Sequence, residues 1–241
     1  EEPVVPRLHA SGTTLGGYDL GWVVIEKIAH GPLGMRWHKD HSRRLAVAAV
    51  RFWKMTDRFV IQDEQVRVED WAHMVEDARR SVRRNEPSDS TKWLKLLKSL
   101  SSGIDRLVER WRDRDTDHWI HGDMHFANAM SRVGMQSGPV TLIDLAEVRP
   151  GHWLEDAVLL ERQLWAMPDR LMAAQPVKAM AAERRRVGLQ VVDHWDELAH
   201  IRRALLAGTA PTFMRSEGHP RFFEACMNQL ERSLRSLRLI K

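Results

Sequence analysis

His121-Gly122-Asp123-Met124-His125-Phe126-Ala127-Asn128, followed sixteen residues after Asn128 by Asp144 in Leu142-Ile143-Asp144, is the stretch on which the reading of this sequence turns. Asp123 precedes Asn128 by five residues. A tight loop of that length can aim a carboxylate at an incoming hydroxyl while turning an amide oxygen toward a divalent cation. Asp144 ends the apolar run Val140-Thr141-Leu142-Ile143, so a strand would carry this second acid to the same place. Oxygen ligands of this kind suit Mg²⁺. A positioned base and Mg²⁺ on phosphate oxygens are what phosphoryl transfer to a hydroxyl requires.

Around this stretch the chain changes character. Residues 1–35 read as β structure: Val4 to Leu8 is extended, Thr13 to Gly17 is a turn, and Trp22-Val23-Val24-Ile25 is an apolar, β-branched run that suits a buried strand. Residues 36–117 read as helical. The clearest case is 91–112, where Leu94, Leu97, Leu100, Ile104, Leu107, Val108 and Trp111 recur at helical spacing. Ser88 to Ser90 would supply its N-cap. Shorter helices are expected over 38–55 and 69–84, the latter ended by Asn85-Glu86-Pro87. Ala129 to Val133 and Val140 to Ile143 would pair as a hairpin, and 152–241 is again helical, punctuated by Pro168, Pro176 and Gly208 to Pro211.

Composition bounds the partners. With 43% hydrophobic and 29% charged residues in 241, the chain buries a core. The lone Cys226 excludes an intramolecular disulfide and the usual thiolate zinc site. No apolar run approaches the eighteen or so residues of a membrane span. The net charge of +4 attracts anions. The arginines at 79–80, 83–84 and 184–186 read as solvated helix faces, and no recognition motif points to nucleic acid.

His-Gly-Asp-x-His-x-x-Asn followed by a hairpin and Ile-Asp resembles the signature of the aminoglycoside phosphotransferase/choline kinase-like family, with a further Gly-x-x-x-x-Asp element at Gly151 to Asp156. The resemblance runs from the strand Trp22 to Ile28 through about residue 165. It implies an α+β, protein kinase-like fold. Residues 1–30 would be the end of a β N-lobe and the hinge, and 31–241 a mainly helical C-lobe with a small hairpin at the catalytic site. It implies Asp123 as catalytic base, Asn128 and Asp144 as Mg²⁺ ligands, and His121, His125 and Asp156 as supports of the site. It also implies adenine contacts from the backbone of Glu26, Lys27 and Ile28. ATP or GTP with Mg²⁺, a small-molecule hydroxyl acceptor and a cytoplasmic location go with it. There are departures: no Gly-rich loop with a strand Lys precedes residue 22, so most of the N-lobe is expected to be lacking. Leu145 replaces the aromatic residue often found after the metal Asp, and Phe126-Ala127 replaces Pro-Gly.

Two other classes fit the same residues. One is a kinase-like binding module without activity. The other is a metal-dependent hydrolase built on His118, His121, Asp123 and His125. Within the site, His125 is expected to donate to a backbone carbonyl. Asp156 should be buried, Glu155 exposed and Glu147 solvated. Cys226 and the tryptophans at 53, 71, 93 and 111 should lie in the core.

Overall fold

The computed structural model describes residues 2–61, 66–213 and 219–241. Strands β1 (Leu8–Leu15) and β2 (Tyr18–Ile25) pair antiparallel across Gly16 and Gly17, whose φ values of 58° and 85° are those a two-residue hairpin turn demands. The turn is shorter than the expected Thr13 to Gly17, because β1 continues to Leu15. The run Trp22 to Ile25 is a strand but not a buried one: Val23, Val24 and Ile25 are all exposed. Its β-branched residues are satisfied along one edge by β1, and no other strand joins this sheet among the described residues. Trp22 folds back over Gly12 and donates to the Thr14 carbonyl at 2.7 Å.

The base of this hairpin is pinned to the rest of the chain. Arg132 donates to both Glu26 carboxylate oxygens at 2.7 and 2.8 Å, and to the carbonyls of Pro3 and Val5. Its guanidinium, with help from the Arg7 N–H, holds the Glu26 carboxyl down at about 2. Val4 is buried and accepts from the Leu142 N–H at 2.7 Å. His30 and Ser131 exchange backbone hydrogen bonds at 3.0 and 2.7 Å.

Helices α1 (His41–Thr56), α2 (Trp71–Asn85) and α3 (Ser90–Arg112) follow within a few residues of their expected bounds. Glu86, left-handed at φ 40°, closes α2 just before Pro87. The N-cap of α3 falls within the expected Ser88 to Ser90, at Asp89, whose side chain makes no capping bond. Strand β3 (His118–Ile120) then leads into the stretch from His121 to Asn128. Strands β4 (Ala129–Ser131) and β5 (Val140–Leu142) form the expected hairpin, whose turn is captured by Arg44 donating to the carbonyls of Met135, Ser137 and Gly138 at 2.6, 2.7 and 3.0 Å. Strand β6 (Arg149–Gly151) pairs antiparallel with β3.

Among the described residues five α-helices follow: α4 (Trp153–Arg162), α5 (Pro168–Ala174), α6 (Pro176–Arg186), α7 (Trp195–Thr209) and α8 (Pro220–Ser236). Proline opens α5, α6 and α8, where its missing N–H costs nothing. Side by side lie α1 and α6, α2 and α3, and α7 and α8. Their inner faces form one core containing Trp53, Trp71, Trp93, Trp111 and Cys226. No described helix is long and apolar enough to cross a membrane.

Arg184 departs from the expected solvated face. It is buried, stacks on Trp53 and Trp153 at 5.3 and 5.5 Å, and donates to the Gln190 carbonyl. It also helps make His152 pH-sensitive. Burial first, then the charges of Arg184 and Arg114, hold the His152 imidazole down to about 3, against the pull of Glu155 and Asp115. The unfolded chain therefore takes up a proton near pH 6.5 that the folded chain refuses. Stability from this group is complete above that pH and falls as pH drops toward 3, by about 1.4 kcal/mol per unit. His152 Nδ1 accepts from the Leu154 N–H, a bond that Asn would keep as an N-cap. We expect urea unfolding at pH 7, 6 and 5 to show His152→Asn losing less stability with acid than the wild type. Parallel pH curves for the two proteins would contradict this.

Candidate active site

Strand β3 delivers His121 to the start of a tight loop. Gly122 follows at φ 80°, and a Cβ there would collide with the Glu147 carbonyl oxygen, so only glycine fits. The loop closes with a 3-10 turn at Phe126–Asn128 that runs directly into β4.

This turn brings Asn128 back against Asp123. The Asn128 Nδ2 donates to the Asp123 carbonyl at 3.0 Å and to its Oδ2 at 2.9 Å. Both amide hydrogens are thereby committed, which leaves Asn128 Oδ1 as the atom able to take a cation. His125 closes the triangle. The Asn128 N–H is shared between the His125 carbonyl at 3.0 Å and its Nδ1 at 3.2 Å, and Nε2 lies 3.2 Å from Asp123 Oδ2. His125 therefore does not donate to a carbonyl, as expected, but faces the acid itself. The Asp123 side chain stays 37% exposed.

The donation to a carbonyl belongs to His121. Its Nδ1 accepts from the Asp123 N–H at 3.3 Å, so Nε2 carries hydrogen and donates to the Ile143 carbonyl at 3.0 Å. This bond ties the loop to the end of β5, one residue before Asp144. Asp144 is exposed and left-handed at φ 60°, a conformation Asp tolerates better than most residues. Beneath the loop lies Asp156, fully buried on α4. Its Oδ2 accepts from the His121 N–H at 2.9 Å and the Trp53 indole at 3.1 Å, and its Oδ1 from the Gly122 N–H at 2.9 Å. Burial pushes this carboxyl above its ordinary range, against the pull of His121 and those donors. Asp123, Asn128, His121, His125 and Asp156 thus form one connected cluster, and Asp144 follows Ile143, whose backbone is bonded to His121 and Asn128.

The sequence matches the family described as "Phosphotransferase enzyme family", APH, over residues 1–201. The chain belongs to this phosphotransferase family. Solved structures agree in fold. A microcompartment-associated aminopropanol kinase aligns at TM-score 0.63 and 18% identity, over 98% of this chain and 78% of that one. An aminoglycoside phosphotransferase from Alicyclobacillus acidocaldarius aligns at 0.55 and 18%, over 98% and 77%. An amicoumacin kinase in complex with AMP-PNP, Ca²⁺ and Ami aligns at 0.54 and 15%, over 87% and 64%. No curated protein matches the sequence.

The phosphotransferase loop does not assemble the alternative hydrolase centre. His118 faces Asp115 and Asp57, and both ring nitrogens of His121 are occupied within the loop and strand. Among the described residues no group of three or more His, Cys, Asp or Glu is placed to hold a metal. Glu155 corrects the expectation of exposure. It is buried, with Oε1 on Arg114 at 2.9 Å and Oε2 on Arg149 at 3.0 Å, and it also caps α4 through the His152 N–H. Burial alone would raise its carboxyl, but Arg202 and Arg114 hold it below its ordinary range. Glu147 is exposed and pairs with Arg67 at 3.6 Å.

Two supporting residues escape the motif. Trp53 holds Asp156 from α1. The Gln163 amide accepts from the Phe126 N–H at 3.3 Å and donates to the Met124 carbonyl at 3.4 Å. Gln163 lies seven residues past Asp156, two turns on along the same helical direction. That spacing is the signal that would have found it.

Proposed function

We propose that this chain transfers the γ-phosphoryl group of Mg²⁺-bound ATP to a hydroxyl of a small molecule. One observation carries the reading: Asn128 spends both amide hydrogens on Asp123 and keeps its oxygen for a cation, while the His121 tie brings Asp144 beside the same loop. Asn128 Oδ1 and the Asp144 carboxylate make an all-oxygen pair that fits Mg²⁺. Bound there, Mg²⁺ would neutralise charge on the phosphate oxygens. Asp123 accepts the hydrogen bond of the acceptor hydroxyl and then its proton. The hinge residues Glu26, Lys27 and Ile28 present backbone to the nucleotide base. The Glu26 carboxylate is spent on Arg132, and among the described residues the Ile28 N–H has no partner. In this reading residues 1–30 act as the N-lobe side of the cleft and 31–241 as the C-lobe, in the cytoplasm. The solved relatives named for aminopropanol, aminoglycoside and amicoumacin substrates favour an amino alcohol or sugar-like acceptor.

Thermal unfolding tests the metal and nucleotide part. Mg·ATP at about 100 times its Kd should stabilise the chain by about 2.7 kcal/mol. Asp144→Ala should lose most of that gain, measured against its own unliganded melting, which should lie slightly below the wild type because Ala fits the left-handed backbone at φ 60° less well than Asp. Equal stabilisation of both proteins would refute the assignment of Asp144.

A further inference from the structure

We infer that His125 is a positioning residue that decides which oxygen of Asp123 receives the acceptor's proton, a role that rests on the phosphotransfer reading above. The geometry selects its tautomer. Nδ1 accepts from the Asn128 N–H at 3.2 Å, which assigns the ring hydrogen to Nε2, and Nε2 lies 3.2 Å from Asp123 Oδ2. Asn128 Nδ2 donates to the same Oδ2 at 2.9 Å. Oδ2 is therefore the crowded oxygen, with the Asn128 amide bonded to it and the His125 imidazole nitrogen beside it. Oδ1 is the oxygen left open in a side chain that is 37% exposed.

The consequence for the reaction is directional. The acceptor hydroxyl donates to Oδ1. As its oxygen bonds to the γ-phosphorus, the bond from that phosphorus to the β–γ bridging oxygen breaks, nucleoside diphosphate leaves, and the proton ends on Oδ1. His125 keeps its own hydrogen throughout. Its second nitrogen already accepts from the Asn128 N–H, so it has no free lone pair with which to act as the base itself. The ring also ties the base to Asn128, so that one side chain sets the angle between the acid and the amide beside it. His125 is 28% exposed, so the cost of replacing it falls on the orientation of Asp123 more than on the core.

Two substitutions separate its two contacts. His125→Asn keeps an oxygen that can accept from the Asn128 N–H but is too short to reach Oδ2. His125→Gln carries a donor out to the position of Nε2. With Mg·ATP and a panel of amino alcohols, sugars and aminoglycosides as acceptors, His125→Asn should lower kcat about 10- to 100-fold, the scale of a misplaced catalytic group. The KM for ATP should stay within about twofold, since ground-state binding is untouched. His125→Gln should recover most of the wild-type kcat. Equal kcat in all three proteins, or Gln no better than Asn, would overturn the inference. A second measurement needs no turnover. Nitrogen NMR of the wild-type imidazole should show hydrogen on Nε2 and a bare Nδ1, and the reverse tautomer would overturn the role of His125 whether or not the chain is active. If the tautomer is as expected but the wild type transfers phosphate to no acceptor in the panel, the phosphotransfer reading fails, and the role of His125 with it.

Discussion

Asp123→Ala should lower the rate of phosphoryl transfer by about 10²- to 10⁴-fold, the range that a positioned proton acceptor supplies. The loss should fall on kcat and leave Mg·ATP affinity nearly intact. Asn128 keeps the Asp123 backbone carbonyl as a partner after the side chain is gone, so its oxygen stays turned the same way. Asp144 is held through the Ile143 carbonyl and does not depend on Asp123. Because the Asp123 side chain is 37% exposed, its removal should cost little stability. Asp123→Asn sharpens the test, since it keeps the shape and removes the ability to accept a proton. Quenched-flow measurement of ADP formation with saturating acceptor separates the chemical step from product release. A variant within threefold of wild type in that step would show that another group accepts the proton.

Asp156→Ala should be the most destabilising single change in the site. The side chain receives three N–H donors, from His121, Gly122 and Trp53, and is fully buried among them. Removing the acceptor strands all three where water cannot replace it. The cost should be about 3–5 kcal/mol, as for breaking a buried charged network. For a chain of this size that lowers Tm by about 10 °C. Asp156→Asn keeps one carbonyl oxygen but turns an NH₂ toward a donor, so it should fall between wild type and Ala. Activity should drop with stability, because two of the three donors are the backbone of the loop that carries Asp123. Urea unfolding that places Asp156→Ala within about 0.5 kcal/mol of wild type, the range of ordinary surface changes, would mean that the carboxylate does not hold the loop.

How much of this was legible in advance depended on whether each feature leaves a local trace. The loop from His121 to Asn128 and the strand before Asp144 could be read because the chemistry fixes both residue type and spacing within a few positions. Helix α3 could be read from its apolar period, and the end of α2 from Pro87. The partners of the loop were less visible. His121 and His125 share one motif, yet which one meets a carbonyl and which meets the acid depends on ring orientation, set by the N–H groups of Asp123 and Asn128. Glu155 looked like a charge on a helix N-terminus. Its burial is decided by Arg114, forty-one residues upstream, and by Arg149 on β6. Strand β6 itself was hidden by Pro150, a residue that argues against strands unless they lie at an edge. The exposure of β2 was unreadable for the opposite reason, since an apolar run states what a strand prefers and not what is there to cover it.

An imidazole that rivets loop to strand separates two kinds of evolutionary change. Because His121 fixes the Asp123 loop and the strand before Asp144 to one another, the proposed base and the proposed cation site travel as a single cartridge. Substitutions can then accumulate across α5, α6, α7 and α8 without altering the spacing of loop and strand. Two solved structures share this fold at 18% identity, a distance over which such a tie would hold the two segments in register while the helices around them diverge.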